Sequence, residues 1–182
     1  MTILEVIKND HDRIKALCNR LMNNIDSDPE KRSEIIRHIR MELVPHSRAE
    51  EVVLYNKMRS SDGPNGQIYD GFREHAEAEA LLYALEAVES VHVDYKMIAQ
   101  KLTDTILHHI QEEEDVVFQE AKALFSKKEG EEMAKEFNIL KPKIRDQSPL
   151  ISSVEFLQNL IPPQMTELVK SKMAELIPRQ LH

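Results

Sequence analysis

The sequence predicts an all-α protein, with an antiparallel four-helix bundle followed by a C-terminal helical extension. Three observations predict this class. The 182-residue chain has only 4 glycines and is dominated by Glu, Lys, Leu, Ala, Met and Arg, which favour helix. Four long segments carry apolar residues at helical spacing and are separated by short connections. β-Branched residues do not cluster as they do in strands, so no strand is predicted. Four amphipathic helices with short connections are expected to pack around one core.

The first two helices occupy the N-terminal third of the chain. The first is predicted over residues 2–24, which carry a regular apolar face. The second is predicted to begin at Pro29, because Asp28 is a favourable N-cap residue and proline suits a first turn, and to run to about residue 59. The segment "SSDGPNG", residues 60–66, then predicts a loop.

The third and fourth helices complete the predicted bundle. The third covers residues 67–90, and a short break near "SVHVD" leads to the fourth, over residues 94–125. The apolar face of the third helix comprises Phe72, Leu82, Leu85 and Val88. That of the fourth comprises Ile98, Leu102, Ile106, Ile110, Val117, Ala121 and Leu124.

The character of the chain changes after the fourth helix, which predicts a bundle over residues 1–125 and an extension over residues 126–182. "SKKEGEEMAKEF" predicts a turn and a short helix, whereas "NILKPKIRDQSP" contains two prolines and predicts irregular structure. "QMTELVKSKMAEL" is amphipathic again. We expect this tail to pack against the bundle or against a second subunit, so that the extension supports a homo-oligomer.

Composition excludes several classes of protein. Cys18 is the only cysteine, which rules out an internal disulfide or a CxxC zinc or iron–sulfur site and predicts a reducing, cytoplasmic location. The charged N-terminus does not have the pattern of a signal peptide, and the longest apolar run is too short to span a bilayer. A net charge of −8 disfavours nucleic acid and anionic membranes as partners.

Each predicted helix places one histidine on its apolar face, and three helices add a glutamate one turn later. Residues i and i+4 lie about 5–6 Å apart on one helix face, so an imidazole and a carboxylate can reach one metal ion together. Burial of such groups without partners costs several kcal/mol each, a cost that metal ligation offsets. The candidate ligands are His11, His46, Glu50, His75, Glu79, His109 and Glu113.

Part of this pattern is written twice. "HSRAEEVVLY" begins at His46, and "HIQEEEDVVF" begins at His109. The repeat predicts two facing histidine–glutamate pairs, each anchoring one metal, with both glutamates placed to bridge and His11 and His75 completing the ligation. Imidazole with carboxylate suits iron, zinc, copper or nickel better than calcium or magnesium. A single exposed histidine–glutamate pair would be a weak surface salt bridge, but four histidines on four apolar faces favour a metal site.

These motifs resemble the hemerythrin-like HHE cation-binding domain. "NDHDRI", "HSRAEEVVLY", "REHAEAE" and "HHIQEEEDVVF" carry the resemblance, which covers about residues 1–125. The family implies an up-down-up-down bundle and a non-haem di-iron centre, two irons per chain, with oxo or hydroxo and carboxylate bridges. By position, the six ligands it implies are His11, His46, Glu50, His75, His109 and Glu113, with Glu50 and Glu113 as the bridging carboxylates.

The chain departs from the oxygen-carrying members of that family at two ligand positions. Those members have a second histidine where this chain has Glu79, and an aspartate five residues after the fourth-helix histidine where this chain has Glu113 at four. The loss of a neutral nitrogen ligand favours the ferric state and disfavours reversible O2 carriage. Relatives that repair iron–sulfur clusters carry an N-terminal cysteine region, and this sequence begins directly in the first helix.

The sequence thus predicts a di-iron protein that binds or reacts with O2, NO or peroxide as a sensor, scavenger or iron store. Zinc or another divalent metal is an alternative occupant. The alternative function is a metal-stabilised or iron-sensing interaction module without redox chemistry, which would have a closed coordination sphere and would not react with O2.

Overall fold

A computed structural model describes residues 1–62, 66–87 and 94–145, and the described residues are helical, with no strand among them. Residues Met1–Asp146 form the first of two units of the chain. Its helices are α1 (Ile3–Asn23), α2 (Pro29–Glu50), α3 (Asn56–Asp62), α4 (Gly66–Ala87), α5 (Asp94–Glu112), α6 (Phe118–Leu124) and α7 (Lys127–Arg145), with π-helical segments π1 (Glu51–Tyr55) and π2 (Glu113–Val117).

Two of the predicted helices are long helices with a π-helical segment inside. The second predicted helix consists of α2, π1 and α3 in direct succession, and the fourth consists of α5, π2 and α6. The first predicted helix is α1, and the third is α4. Both π segments fall within the repeated sequence, and π turns occur frequently at functional sites.

The helix starts follow the local sequence. Asp28 caps α2 by accepting a hydrogen bond from the Lys31 backbone N–H at 2.9 Å, with proline at the first helical position. The Thr2 backbone N–H donates to the Glu5 carboxylate at 2.8 Å, which is half of a capping box at the start of α1. These caps satisfy backbone groups that have no partner within the helix.

The loop predicted over residues 60–66 is wrong at both ends. Ser60 and Ser61 continue α3, and their hydroxyls donate to the carbonyl oxygens of Asn56 and Lys57 one turn back, at 2.8 and 2.9 Å. This local bonding lets serine continue a helix that its propensity would end. Gly66 already belongs to α4. Residues 63–65 lie outside the described part of the chain, as does most of the break predicted near "SVHVD".

The core lies between four helices that contact one another in a ring. Helix α1 packs on α2, α2 on α4, α4 on α5, and α5 on α1. Apolar side chains from all four helices form one cluster, and full burial of each large aliphatic side chain contributes roughly 1.5–3 kcal/mol. Its most deeply buried members include Ile14, Cys18, Leu21, Ile35, Ile39, Leu82, Ala99, Leu102, Ile106 and Ile110.

The segment "NILKPKIR", predicted to be irregular, is helical, which corrects that prediction. Helix α7 runs to Arg145 and contains Pro142. It packs against α1, α2 and π1, and it buries Met133, Ala134 and Phe137. A proline costs the helix one backbone hydrogen bond, about 3 kcal/mol, and burial of this apolar face offsets that cost.

The remainder of the predicted extension lies outside the described residues. This includes the amphipathic segment "QMTELVKSKMAEL", so its packing and the homo-oligomer stay predictions. Among the described helices, none is long and apolar enough to cross a membrane.

Candidate metal centre

Six of the seven predicted ligands converge in the interior of the helical ring. They form two groups in which one possible ligand atom from each residue lies within 4.8 Å of the others. The first group is His11, His46, Glu50 and Glu113, and the second is Glu50, His75 and His109. All six residues are buried, with exposures between 0% and 5%. The sequence prediction of one histidine from each helix is therefore met in space.

The two glutamates each lie between the histidine groups. The Oε2 atom of Glu50 contacts one histidine from each group, and so does the Oε2 atom of Glu113. Within the second group, the Nε2 atoms of His75 and His109 lie 2.9 Å apart. The positions of Glu50 and Glu113 are therefore those required of two carboxylates shared between the histidine groups. The four distances from Oε2 to Nε2 are 3.5 Å (Glu50–His46), 3.6 Å (Glu50–His75), 3.1 Å (Glu113–His11) and 3.4 Å (Glu113–His109).

A second layer of carboxylates orients the histidines. Each of the four converging histidines has its Nδ1 within hydrogen-bond reach of a carboxylate from the neighbouring helix, so the partners run once around the ring. An Nδ1–H that donates to a carboxylate leaves the Nε2 lone pair facing the interior, the usual arrangement of metal-ligating histidine. The pairs are His46 with Asp10 (3.3 Å), His75 with Glu51 (3.0 Å), His109 with Glu74 (3.0 Å) and His11 with Glu114 (3.2 Å).

These four orienting carboxylates are the functional residues that sequence reasoning missed. Glu51 and Glu114 directly follow Glu50 and Glu113. In a regular α-helix adjacent residues point about 100° apart, so a regular helix would turn Glu51 and Glu114 away from the interior. The π segments start at these positions, and Glu51 is fully buried while the Glu114 side chain is 19% exposed. The signal in the sequence for these orienting residues was the second of two adjacent glutamates at the same offset in both repeats, Glu50–Glu51 and Glu113–Glu114.

The aromatic residues that end each repeat pack on the ligands. Tyr55 stacks on His75, with ring centroids 5.6 Å apart and an interplanar angle of 3°. Phe118 stacks on His11 at 6.0 Å and 12°. Each copy of the repeated sequence therefore supplies the same four parts of the site. These are a histidine, a shared glutamate, an orienting glutamate and an aromatic ring that stacks on the histidine of another helix.

The donor set fits a bound cation. Within the described part of the chain, no hydrogen-bond partner is present for His11 Nε2, for either carboxylate oxygen of Glu50, or for Glu113 Oε2. Buried polar atoms without partners cost about 1–3 kcal/mol each. All of these atoms belong to residues of the two groups described above, so one or two bound cations would satisfy them together.

The electrostatics of the site also favour a bound cation. Burial raises the pKa of the Glu50 carboxyl well above its usual range, and the charge of Glu113 raises it further. Burial opposes ionisation of Glu113 too, but His109 and His11 outweigh it and hold its pKa below the usual range. Burial lowers the pKa of His46 to about 4, so its imidazole is neutral at pH 7. Neutral imidazole is the form that binds metal.

Helix α7 contributes a buried cation to the orienting layer. Lys141 is only 6% exposed, and its Nζ donates to Asp10 Oδ2 at 2.7 Å and to Glu42 Oε2 at 3.0 Å. Asp10 Oδ2 is also the acceptor near His46 Nδ1. Burial would raise the pKa of Asp10, but hydrogen bonds and charges of His46 and Lys141 hold it at about 2. Helix α7 is therefore connected to the ligand His46 through one carboxylate.

A small cavity lies beside the second histidine group. Its volume is about 20 Å³, and its lining includes Tyr55, Glu74, His109, Glu112 and Glu113. The Tyr55 hydroxyl donates to Glu113 Oε1. Burial and the charge of Glu113 raise the pKa of Tyr55 well above its usual range, so the phenol stays a neutral donor. A cavity above about 10–15 Å³ has room for one water molecule.

Glu79 is the predicted ligand that the structure places elsewhere. Its carboxylate is hydrogen-bonded to the Arg48 guanidinium, and the Tyr83 hydroxyl lies 3.5 Å from its other oxygen. Among the described residues it belongs to neither group of converging ligand atoms. Arg48 also lies 3.4 Å from Glu51, so Glu79 reaches the centre only through that arginine.

Comparison with known proteins agrees with this geometry. The profile of the hemerythrin HHE cation-binding domain matches residues 2–121. The chain belongs to this family. The match contains all six converging residues, which form the groups that could hold a metal ion in this HHE domain. No solved structure matches the chain.

One relative of this HHE domain protein is a curated protein named DNA nickase, from Nostoc sp. (strain PCC 7120). The two are 31% identical over 147 residues, which is 80% of this chain and 40% of the relative. The chain thus spans well under half the length of that protein. A match over 80% of 182 residues includes α7 wherever it begins, so the likeness extends beyond the family profile.

Proposed function

We propose that the chain is a cytoplasmic non-haem di-iron protein that binds or reacts with O2, NO or peroxide, as a sensor, scavenger or iron store. The observation that carries the proposal is the pair of buried histidine groups joined by Glu50 and Glu113. Six nitrogen and oxygen ligand residues of this kind suit iron better than the hard cations calcium and magnesium. The proposal includes the up-down-up-down order of the bundle.

The residues present would hold two ions in equivalent surroundings. His11 and His46 would hold one ion, and His75 and His109 the other; Glu50 belongs to both groups, and Glu113 lies 3.4 Å from His109 as well. When bound, such a centre supplies reversible one-electron change at each iron and a coordination position for a small ligand. Glu79 is not needed as a ligand, because Arg48 occupies its carboxylate.

The chain's own residues favour a small, uncharged ligand on one side of the centre. The cavity beside His109 has room for a molecule of a few atoms at most. Its wall carries Tyr55, a neutral hydroxyl that already donates to Glu113 Oε1. A phenol in this position can hold its proton next to a ligand or supply a hydrogen bond to it. Val116 and Val117 add apolar surface to the same cavity.

Metal content and optical response test the proposal directly. Protein loaded with Fe²⁺ without air is expected to bind two irons per chain and to change its optical spectrum on addition of O2, NO or peroxide. His46→Ala and His109→Ala should each lose metal, whereas His38→Ala, at a surface histidine, should not. One zinc per chain, or full metal content in the first two variants, would refute the di-iron centre. Metal that stabilises the fold without any optical response would favour the interaction module.

A second candidate is strand cleavage in DNA, which the 31% identity to a DNA nickase favours. A net charge of −8 counts against close contact with nucleic acid. Iron-loaded protein and supercoiled plasmid distinguish the candidates. Nicked circles that form with the unaltered chain and not with His109→Ala would support the nickase candidate. Plasmid that stays supercoiled, together with an optical response to O2, NO or peroxide, would support the first proposal.

A further inference from the structure

A third group of possible metal ligands lies on the surface, close to the buried centre. It consists of Glu74, His108 and Glu112, and one ligand atom of each lies within 4.8 Å of the others. His108 Nε2 is 3.5 Å from Glu112 Oε1 and 3.8 Å from Glu74 Oε1. The side chains of His108 and Glu112 are 64% and 52% exposed, so ions in solution can reach them. Arg73 lies 3.7 Å from Glu74 Oε1 and is the competing cation.

Glu74 belongs to this surface group and to the buried centre at once. Its Oε1 faces His108, while its Oε2 accepts the hydrogen bond from Nδ1 of the ligand His109 at 3.0 Å. The Glu74 side chain is 7% exposed, with His108 on its solvent side and His109 on its inner side. One carboxylate therefore separates an exposed imidazole from a buried ligand imidazole.

The small cavity joins the same two places. Glu74 and Glu112 of the surface group line it, and so do His109 and Glu113 of the buried centre. Glu113 is 1% exposed, and its Oε2 has no hydrogen-bond partner among the described residues. One cavity thus borders two carboxylates of the surface group and a buried carboxylate that has an oxygen without a partner.

We propose that Glu74, His108 and Glu112 form a capture site for a divalent transition-metal cation, and that the buried centre is loaded from it along this cavity. The inference rests on metal binding at the buried centre. One imidazole and two carboxylates suit such ions, and three ligands, two of them exposed, with water completing the shell hold a cation weakly enough to release it. Carboxylates beside the cavity also raise the local cation concentration and the rate of association.

The test measures loading rate separately from loading extent. Co²⁺ is the probe, because its visible absorption reports binding and does not require iron oxidation, and stopped-flow mixing follows its uptake by metal-free full-length protein. The test variants are Glu112→Gln and the double variant His108→Ala/Glu112→Gln. The matched control is His38→Ala/Glu34→Gln, which removes another exposed i,i+4 histidine–glutamate pair, 4.0 Å apart, on α2.

We expect both test variants to take up Co²⁺ about tenfold more slowly than the unaltered chain, with unchanged final stoichiometry and affinity. The control should load at the unaltered rate. Added NaCl should slow the unaltered chain more than the test variants, because screening removes the attraction that they have already lost. Far-UV circular dichroism checks the fold, which exposed substitutions of this kind should leave intact.

Two results separate failure of this inference from failure of the proposed function. Loading rates of the test variants within twofold of the control, with full metal content, would overturn the capture site and leave the buried centre intact. Co²⁺ uptake that persists in His46→Ala and His109→Ala would overturn the buried centre, and the capture site with it. Slower uptake with a reduced final stoichiometry would also overturn it, since these residues would then be ligands of the final site.

Discussion

Replacement of Lys141 by methionine tests whether α7 is part of the metal centre. Methionine keeps the length and flexibility of the buried stem and removes only the charge. The variant deprives Asp10 Oδ2 of a donor at 2.7 Å while Asp10 stays 3% exposed. Removal of one partner from a buried ion pair costs about 3–5 kcal/mol. Arg13 still donates to the other oxygen of Asp10, so we expect the lower end, about 3 kcal/mol.

Chemical denaturation of metal-free protein, followed by circular dichroism, measures this cost. A loss of about 3 kcal/mol corresponds to a fall in melting temperature of roughly 6–12 °C for a domain of this size. The matched control is Lys135→Met on the same helix, where the side chain is 71% exposed and pairs with Glu132 at 3.7 Å. That change should cost less than about 0.5 kcal/mol. Equal midpoints for the two variants would refute the view that α7 is anchored through Asp10.

Three further predictions concern the interior of the site. Gly71→Ala would place a Cβ 2.6 Å from the Tyr55 hydroxyl oxygen, so we expect chemical denaturation to show a loss of about 1–3 kcal/mol in the free energy of unfolding. The control Gly66→Ala, which has open space around it, should be neutral or slightly stabilising. Tyr55→Phe leaves Glu113 Oε1 without its donor and should cost about 1–3 kcal/mol in the same assay, and an unchanged midpoint would count against that hydrogen bond. Metal binding should release protons, because burial and Glu113 raise the pKa of Glu50 well above its usual range and its carboxyl must ionise to bind. The metal affinity should therefore fall as the pH is lowered. Calorimetry in buffers of different ionisation enthalpy measures this release, and no proton release is expected if Glu50 is not a ligand.

The sequence predicted which residues converge in the interior better than it predicted the carboxylates around them. His46 and Glu50 were found because helical periodicity relates residues four apart on one face. Glu51 and Glu114 were missed because a regular helix turns the next residue away, and only the π segments bring adjacent glutamates toward the interior. Periodicity contains no signal for a local change of helix type.

The same limit applies to the extension. "NILKPKIR" was predicted to be irregular from Pro142, a local signal, whereas the helix is stabilised by contacts with distant parts of the chain. Phe137 packs against His46 with ring centroids 6.0 Å apart, and Lys141 reaches Asp10, which is 131 positions away in sequence. Local propensity is a weak prior where tertiary burial of an apolar face is large.

The orienting carboxylates explain why the site needs cations around it as well as inside it. A buried carboxylate beside an imidazole must stay ionised to accept the Nδ1–H and leave Nε2 free for metal. Burial alone would raise its pKa and let it take up a proton, which would abolish that role. Each of the four is accompanied by a basic side chain, at distances from hydrogen-bond contact to 3.7 Å; these are Asp10 with Arg13 and Lys141, Glu51 with Arg48, Glu74 with Arg73, and Glu114 with Lys8 and Lys15.

This layered arrangement makes the surface charges part of the centre. The lysines next to Glu114 hold its pKa at about 2 although burial opposes ionisation, so the carboxylate beside His11 stays ionised at neutral pH. Glu74 has the weakest such support, because Arg73 is 3.7 Å away and 62% exposed. It is therefore the orienting carboxylate whose second oxygen is most available to an external cation. That availability is what the proposed capture site requires, and it follows from the same geometry that orients His109.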